Sequence, residues 1–252
     1  MLSPLRHNMR VIPFFERLSL DTHANNTTKT YSLSKRLSAI DNAVGEHFHH
    51  VWDCCCDHGY LGRQLLERGA APHIHFVDIV PNIIKQLETV LAGVNATQSQ
   101  FHIYCQDVAK LPLDKFNQDD KHLIVIAGVG GDLTLQIVEQ LLTDHPDKPL
   151  EFILCPLRQQ YVLRSQLARR GLRLIDEQLI KDDKLFYEII HLTTGEGEAI
   201  EGVGSKMWHN PNQWHVQHLQ IVLAHFKRMA NNPANNVDSA IASYQQLLAK
   251  LS

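Results

Sequence analysis

The chain has 252 residues, of which 44% are hydrophobic and 20% charged, and a formal net charge of −3. This composition supports a packed core and excludes disordered, collagen-like and low-complexity classes, and the length fits one or two domains. No apolar run reaches the ~20 residues needed to cross a bilayer. The opening stretch is interrupted by Pro13 and Glu16, too soon for a secretory core, so a cytoplasmic protein with no membrane partner is expected. Five cysteines, three of them adjacent (Cys54, Cys55, Cys56), have no disulfide-framework spacing. Successive strand side chains face opposite ways, so the three cannot share a tetrahedral ion, and reduced thiols with no metal are expected.

Leu37, Ile40 and Val44 follow Leu33 at helical spacing, and Ser34 is a suitable cap, which predicts a helix over 34–47. Residues 50–56 read as a buried strand turning at Asp57-His58-Gly59, and 60–68 as a helix closed by Gly69. Residues 74–79 form a second strand, and Pro81 suits the first turn of a helix reaching about Leu91. Strands follow at 101–104 and 123–127, and Gly128-Val129-Gly130-Gly131 turns the chain into a helix over about 132–142. A fifth strand at 152–155 leads to a helix over 159–170, stopped by Gly171, and to paired strands at 172–181 and 185–192. Five βα units and a strand pair predict an α/β fold, a Rossmann-like, mostly parallel sheet of seven strands with helices on both faces.

Residues 195–208 read as a Gly/Glu-rich linker. Beyond it, Leu219, Val222, Phe226 and Met229 form one apolar stripe, and Val237, Ile241, Tyr244, Leu248 and Leu251 form another. The breaker Asn231-Asn232-Pro233 between them predicts an antiparallel helical hairpin over 209–252. The expected division is therefore an N-terminal arm (1–32), a ligand-binding domain (33–194), the linker and the hairpin. The hairpin seam either packs on the core or makes a homodimer.

In open α/β sheets, ligands bind beyond the carboxyl ends of the strands, where strand order reverses. The chemistry-bearing residues fall at those ends. Asp53 lies in the first strand, Asp57 and Gly59 in the turn after it, and Asp78 ends the second strand 25 residues past Asp53. Asp107 follows the third strand, and the glycine turn follows the fourth. A cofactor with an adenosine moiety fits, with Asp78 on the ribose diol and Asp107 on the adenine amino group. The first turn is not GxGxxG, and Asp57 would repel a pyrophosphate. Acidic groups there suit instead the sulfonium and amino group of S-adenosylmethionine. The expected cofactor contacts are Asp53, Cys55, Asp57, Gly59, Asp78, Ile79, Asp107, Val108, Gly128, Val129 and Gly130. The competing reading is that strand-end aspartates and the glycine turn only shape tight connections.

Four stretches then resemble one family: Ser34-Lys35-Arg36-Leu37, the run Asp53-Cys54-Cys55-Cys56-Asp57-His58-Gly59-Tyr60-Leu61, Ile126-Ala127-Gly128-Val129-Gly130-Gly131, and Phe186-Tyr187-Glu188-Ile189-Ile190. In this order they resemble the TrmK family of bacterial methyltransferases acting at N1 of adenine 22 in tRNA. Its usual pattern is SKRL, DIGSDHAYLP, CGMGG and KFYEI. The resemblance implies a class I methyltransferase sheet with a helical C-terminal hairpin. The sequence departs from the pattern at Cys55, where the family has glycine, and at Gly59, Gly62 and Val129, where it has Ala, Pro and Met. Cys55 keeps open a catalytically inactive RNA-binding module, and a small molecule or another RNA position keeps open a different substrate.

Adenine N1 carries a free lone pair, so attack on a sulfonium methyl needs no prior deprotonation, and catalysis rests on alignment and charge stabilisation. Asp57, Tyr60 and His58 are the expected catalytic residues: Asp57 for the amino group or the developing charge, Tyr60 to stack on or orient the base. His58 either shares these tasks or is a structural, backbone-bonded histidine. The charge is segregated: +4 over residues 1–36, −10 over 37–204 and +3 over 205–252. The basic flanks, with Arg158, Lys206, Lys227 and Arg228, are the expected RNA grips. Arg164, Arg169, Arg170 and Arg173 form either part of that surface or a solvated helix face.

Overall fold

The computed structural model describes residues 32–94 and 100–251. The expected N-terminal arm lies outside them except for Ser32. Helix α1 (Lys35–Ala43) begins where Ser34 Oγ accepts the Leu37 N–H at 3.2 Å. It stops short of residue 47 because Val44 takes extended backbone and its N–H returns to the Asp41 carbonyl. There follow β1 (His50–Cys54), α2 (Tyr60–Glu67), β2 (His73–Asp78), α3 (Pro81–Leu91) and β3 (Phe101–Cys105). The next elements are β4 (His122–Ala127), α4 (Gly131–Asp144), β5 (Leu150–Cys155), α5 (Gln160–Arg169), β6 (Arg173–Asp182) and β7 (Leu185–Thr193).

The strands form one sheet in the order β3-β2-β1-β4-β5-β7-β6, in which β7 runs antiparallel to both neighbours and the other pairings are parallel. The order reverses between β1 and β4, the switch point at which turns leaving neighbouring strands part to opposite sides and open sheets of this class carry their crevice, at the carboxyl ends. Alternate strand residues feed two cores. Val51, Leu123, Val125 and Ile153 pack with Ile40 and Leu65, while Trp52, Ile124, Ile126 and Phe152 pack with Val138, Leu141 and Leu163. Burial on both faces is why the central strands read as unbroken apolar runs.

The expected five βα units are corrected at β3. No α-helix follows it; two single 3₁₀ turns, Val108–Lys110 and Leu113–Lys115, carry the chain to β4. Pro112 stands between them, without an N–H to donate and disfavouring helical backbone at Leu111. Residues 195–208 also differ from a free linker. Leu174 and Glu198 exchange backbone hydrogen bonds, Ile200 is buried, and a 3₁₀ turn, Lys206–Trp208, buries Met207 and Trp208.

Helices α6 (Gln213–Met229) and α7 (Asp238–Leu251) form the hairpin, and its seam packs on its own sheet. Leu219, Leu223 and Tyr244 join Met207 and Trp208, against Tyr161 of α5 and Leu179 of β6. A buried ion cluster reinforces this seat. Arg164 is fully buried between Glu177 and Glu188, Glu188 also meets His218 Nε2 of α6 at 3.3 Å, and Glu177 accepts the Ser205 N–H. Arg164 is thus no part of a solvated face. Among the described residues, no helix is long and apolar enough to cross a membrane.

At the amino ends of the strands, His50, His73 and His122 stand in register across β1, β2 and β4, with ring centroids 4.9 and 4.7 Å from His50. One row further in, Trp52 stacks on His75 at 3.8 Å and His75 on His102 at 5.0 Å. The His50 ring bridges the Asp120 carboxylate, at 3.3 Å from Nε2, and His75 Nε2, at 3.0 Å from Nδ1. The Trp52 indole N–H donates to His122 Nδ1 at 3.1 Å.

Candidate active site

The turn after β1 winds through three left-handed residues, Cys55 (φ 56°), Asp57 (φ 48°) and Gly59 (φ 67°). Only Gly59 adopts this conformation without steric cost, and a Cβ there would lie 2.3 Å from Leu87 Cδ1. Cys55 occupies the position where the resembling family has glycine, and its positive φ gives the reason for glycine there. A cysteine in this conformation costs roughly 1–2 kcal/mol.

Two carboxylates hold the turn. Asp53 is buried and its Oδ2 accepts the Gly62 N–H at 2.8 Å, at the start of α2. Burial pushes the Asp53 carboxyl up to about 7, against the Gly62 hydrogen bond, and the charge of Asp78 adds to the rise. Asp78 accepts the Asp57 N–H at 3.2 Å through Oδ2 and the Val80 N–H at 3.0 Å through Oδ1, so one side chain ties the β1 and β2 turns together. Asp107 is exposed after β3 and caps the first 3₁₀ turn, accepting the Ala109 N–H at 3.0 Å. These acids converge. Burial raises the Cys55 thiol to about 11, and the charges of Asp78, Asp53 and Asp107 press on it in the same direction, leaving a neutral thiol rather than a nucleophile at pH 7. Ile79 is 65% exposed beside them, and Val108 is buried beneath.

At the lip of the crevice, His58 Nδ1 lies 2.9 Å from Asp57 Oδ1, and the His58 ring stacks on Tyr60, centroids 5.6 Å apart and planes 7° from parallel. His58 is therefore held by a carboxylate and a ring, not by the backbone. All three side chains are substantially exposed. Across the crevice, the turn after β4 is stitched to the turn after β5. Leu157 N–H donates to the Val129 carbonyl at 2.9 Å, and Gly131 N–H to the Arg158 carbonyl at 3.1 Å. A Cβ on Gly131 would come within 2.8 Å of that carbonyl oxygen, so the approach requires glycine. Gly128 takes φ 86° and faces solvent.

A family model described as a methyltransferase domain matches residues 33–190, well over half of the chain. The chain belongs to this methyltransferase-domain family. A protein of Mycoplasma pneumoniae named as a tRNA methyltransferase is 23% identical over 201 residues, covering 79% of this chain and 90% of that protein. M. capricolum TrmK, solved with the cofactor product S-adenosyl-homocysteine, superimposes with a TM-score of 0.66 at 20% identity, covering 88% of this chain and 96% of that one. The B. subtilis m1A22 tRNA methyltransferase TrmK gives 0.64 at 20% identity, covering 87% and 98%. At such identities the likeness establishes the fold.

Within this methyltransferase domain, the residues expected to touch cofactor and base lie together at the β1/β4 crevice. The expected RNA grips do not behave as one group. Arg158 is exposed beside the glycine turn. Lys206 is instead committed to structure, donating to the Ile175 carbonyl at 2.6 Å and meeting Glu198 at 3.0 Å. Lys227 and Arg228 are exposed in the last turn of α6. Arg170 pairs with Glu139, and Arg173 Nε donates to the Gly197 carbonyl. Arg36 and Tyr187 carry no local signal in the sequence that marks them as site residues. They stand 151 positions apart, and only the seating of α1 against β7 brings the Arg36 guanidinium over the Tyr187 ring, at 5.1 Å.

Proposed function

We propose that this chain is an S-adenosylmethionine-dependent RNA methyltransferase that methylates N1 of an adenine in tRNA. The observation that carries the reading is the convergence of Asp53, Asp57, Asp78 and Asp107 at the strand-order reversal of a methyltransferase-domain sheet. The residues present suit the cofactor. Negative charge matches a sulfonium and an ammonium, and exposed Ile79 beside Asp78 offers an apolar face to a purine. Neighbours of the same fold support this choice, since one carries S-adenosyl-homocysteine and the named activities are tRNA methylations.

When bound, S-adenosylmethionine supplies an activated methyl group on sulfur. Asp78, fixed by two backbone N–H groups, would hold the ribose hydroxyls, and Asp107 the adenine amino group. Asp57 accepts from the exocyclic amino group of the target adenine. It would also face the positive charge that an adenine ring gains when its N1 is methylated. Tyr60, steadied by the parallel His58 ring, orients the base. No side chain has to remove a proton, so the task is alignment and electrostatics. Because N1 lies on the pairing edge, the target must be unpaired or extruded from its stack. Arg158 meets RNA at the rim, and Lys227 and Arg228 extend that surface along the hairpin.

The test is transfer of labelled methyl from S-adenosylmethionine to bulk tRNA. Native protein incorporates label, and Asp57→Asn, read at saturating cofactor so that any weaker cofactor binding does not enter, lowers kcat by about 100-fold, the scale of one lost charge-stabilising group. No incorporation by protein that binds the cofactor would refute the substrate assignment.

A further inference from the structure

The glycine turn 128–131 is flanked by two guanidinium groups from distant parts of the chain. Arg158 Nε lies 3.1 Å from the point a Cβ on Gly130 would occupy, and Arg36 Nη1 lies 4.0 Å from the equivalent point on Gly128. Among the described residues, neither meets a carboxylate. Other arginines do: Arg68 pairs with Asp41, Arg164 with Glu177 and Glu188, and Arg170 with Glu139.

Arg36 is nevertheless held in place. Its backbone N–H donates to Asp182 Oδ2 at 3.2 Å, Ser34 caps its helix, and its guanidinium rests on the Tyr187 ring. The nearby carboxylate is thus spent on the backbone while the side-chain charge is left open. A guanidinium with one face on a ring keeps its N–H edges available, and that fork matches a phosphate oxygen pair. The crevice is polarised as a result. Its β1–β3 side carries the aspartates, and its β4–β7 side carries Arg36 and Arg158.

We propose that Arg36, seated on Tyr187, forms with Arg158 a phosphate-binding subsite for the phosphodiester flanking the target nucleotide. The proposal rests on the RNA-methyltransferase reading and deepens it. Gly128 and Arg158 are exposed and Arg36 is half-buried, which suits a polyanion running over the rim rather than a small carboxylate enclosed with the cofactor.

The test uses the full chain, bulk tRNA and S-adenosylmethionine. Arg36→Gln weakens tRNA binding about tenfold and flattens the slope of log K against log salt concentration by about 0.7–0.9, the contribution of one neutralised phosphate. Cofactor affinity by calorimetry stays within twofold and serves as the folding control. Arg36→Lys, which keeps the charge but not the fork, retains the salt slope and recovers part of the affinity. An unchanged slope in Arg36→Gln would overturn the proposal, as would weaker cofactor binding with tRNA affinity intact, or equal loss of both ligands. If native protein binds the cofactor but no tRNA, the underlying reading fails and the subsite falls with it.

Discussion

Gly62 shows how one hydrogen atom can decide a site. Its N–H satisfies the buried Asp53 carboxylate at 2.8 Å, and its missing side chain leaves room for Phe76. A Cβ there would stand 2.3 Å from Phe76 Cε1 and 2.9 Å from Asp53 Oδ2. Gly62→Ala therefore loses about 1–3 kcal/mol in urea unfolding, the usual cost of overpacking a core; unchanged stability would refute this packing argument. Proline, the resembling family's residue here, would also strip Asp53 of its donor. At this scale the sequence was readable where the chemistry is local. Asp57, His58 and Tyr60 sit within four positions and stay together in the fold. Arg164 was not readable in this way, because its partners Glu177 and Glu188 lie on strands and meet it only once the sheet forms.

Among elements, period and punctuation located the seven strands and the main helices, while the two 3₁₀ turns after β3 escaped because single turns leave no periodic signal. The histidine rows were equally hidden, since strand register alone brings His50, His73 and His122 together. Burial lowers His75 to about 2 and His122 to about 3, and also lowers His50 and His102. Their unfolded counterparts titrate near pH 6.5, so below that value the unfolded chain binds more protons and stability falls. Asp53 acts oppositely. Its folded value near 7 exceeds the unfolded 3.8, so its contribution is full at low pH and is lost as pH rises through 7. Four lowered histidines outweigh one raised carboxyl. Urea midpoints fall as pH drops from 6.5 to 5, each fully buried neutral histidine contributing up to about 1.4 kcal/mol per pH unit. A midpoint constant or rising over that interval would contradict the neutral packing of His50, His75, His102 and His122.

For the whole molecule, the net charge of −3 conceals a division that the fold makes useful. The acidic middle of the chain concentrates aspartates at the ends of β1, β2 and β3, whereas Arg36 and Arg158 line the opposite side of the same crevice. The hairpin is anchored to β7 by His218 and Glu188 and to α5 and β6 through its apolar seam, so it is seated on the methyltransferase sheet within one chain. In the proposed reaction these parts work together: a cationic cofactor on the acidic side would deliver a methyl to the pairing edge of an unpaired adenine held from the basic side. Nucleoside mass spectrometry of tRNA incubated with the protein and S-adenosylmethionine is the decisive test. The expected product is 1-methyladenosine, appearing in proportion to cofactor consumed. Methylation of another atom or base, or cofactor binding with no modified nucleoside, would contradict it.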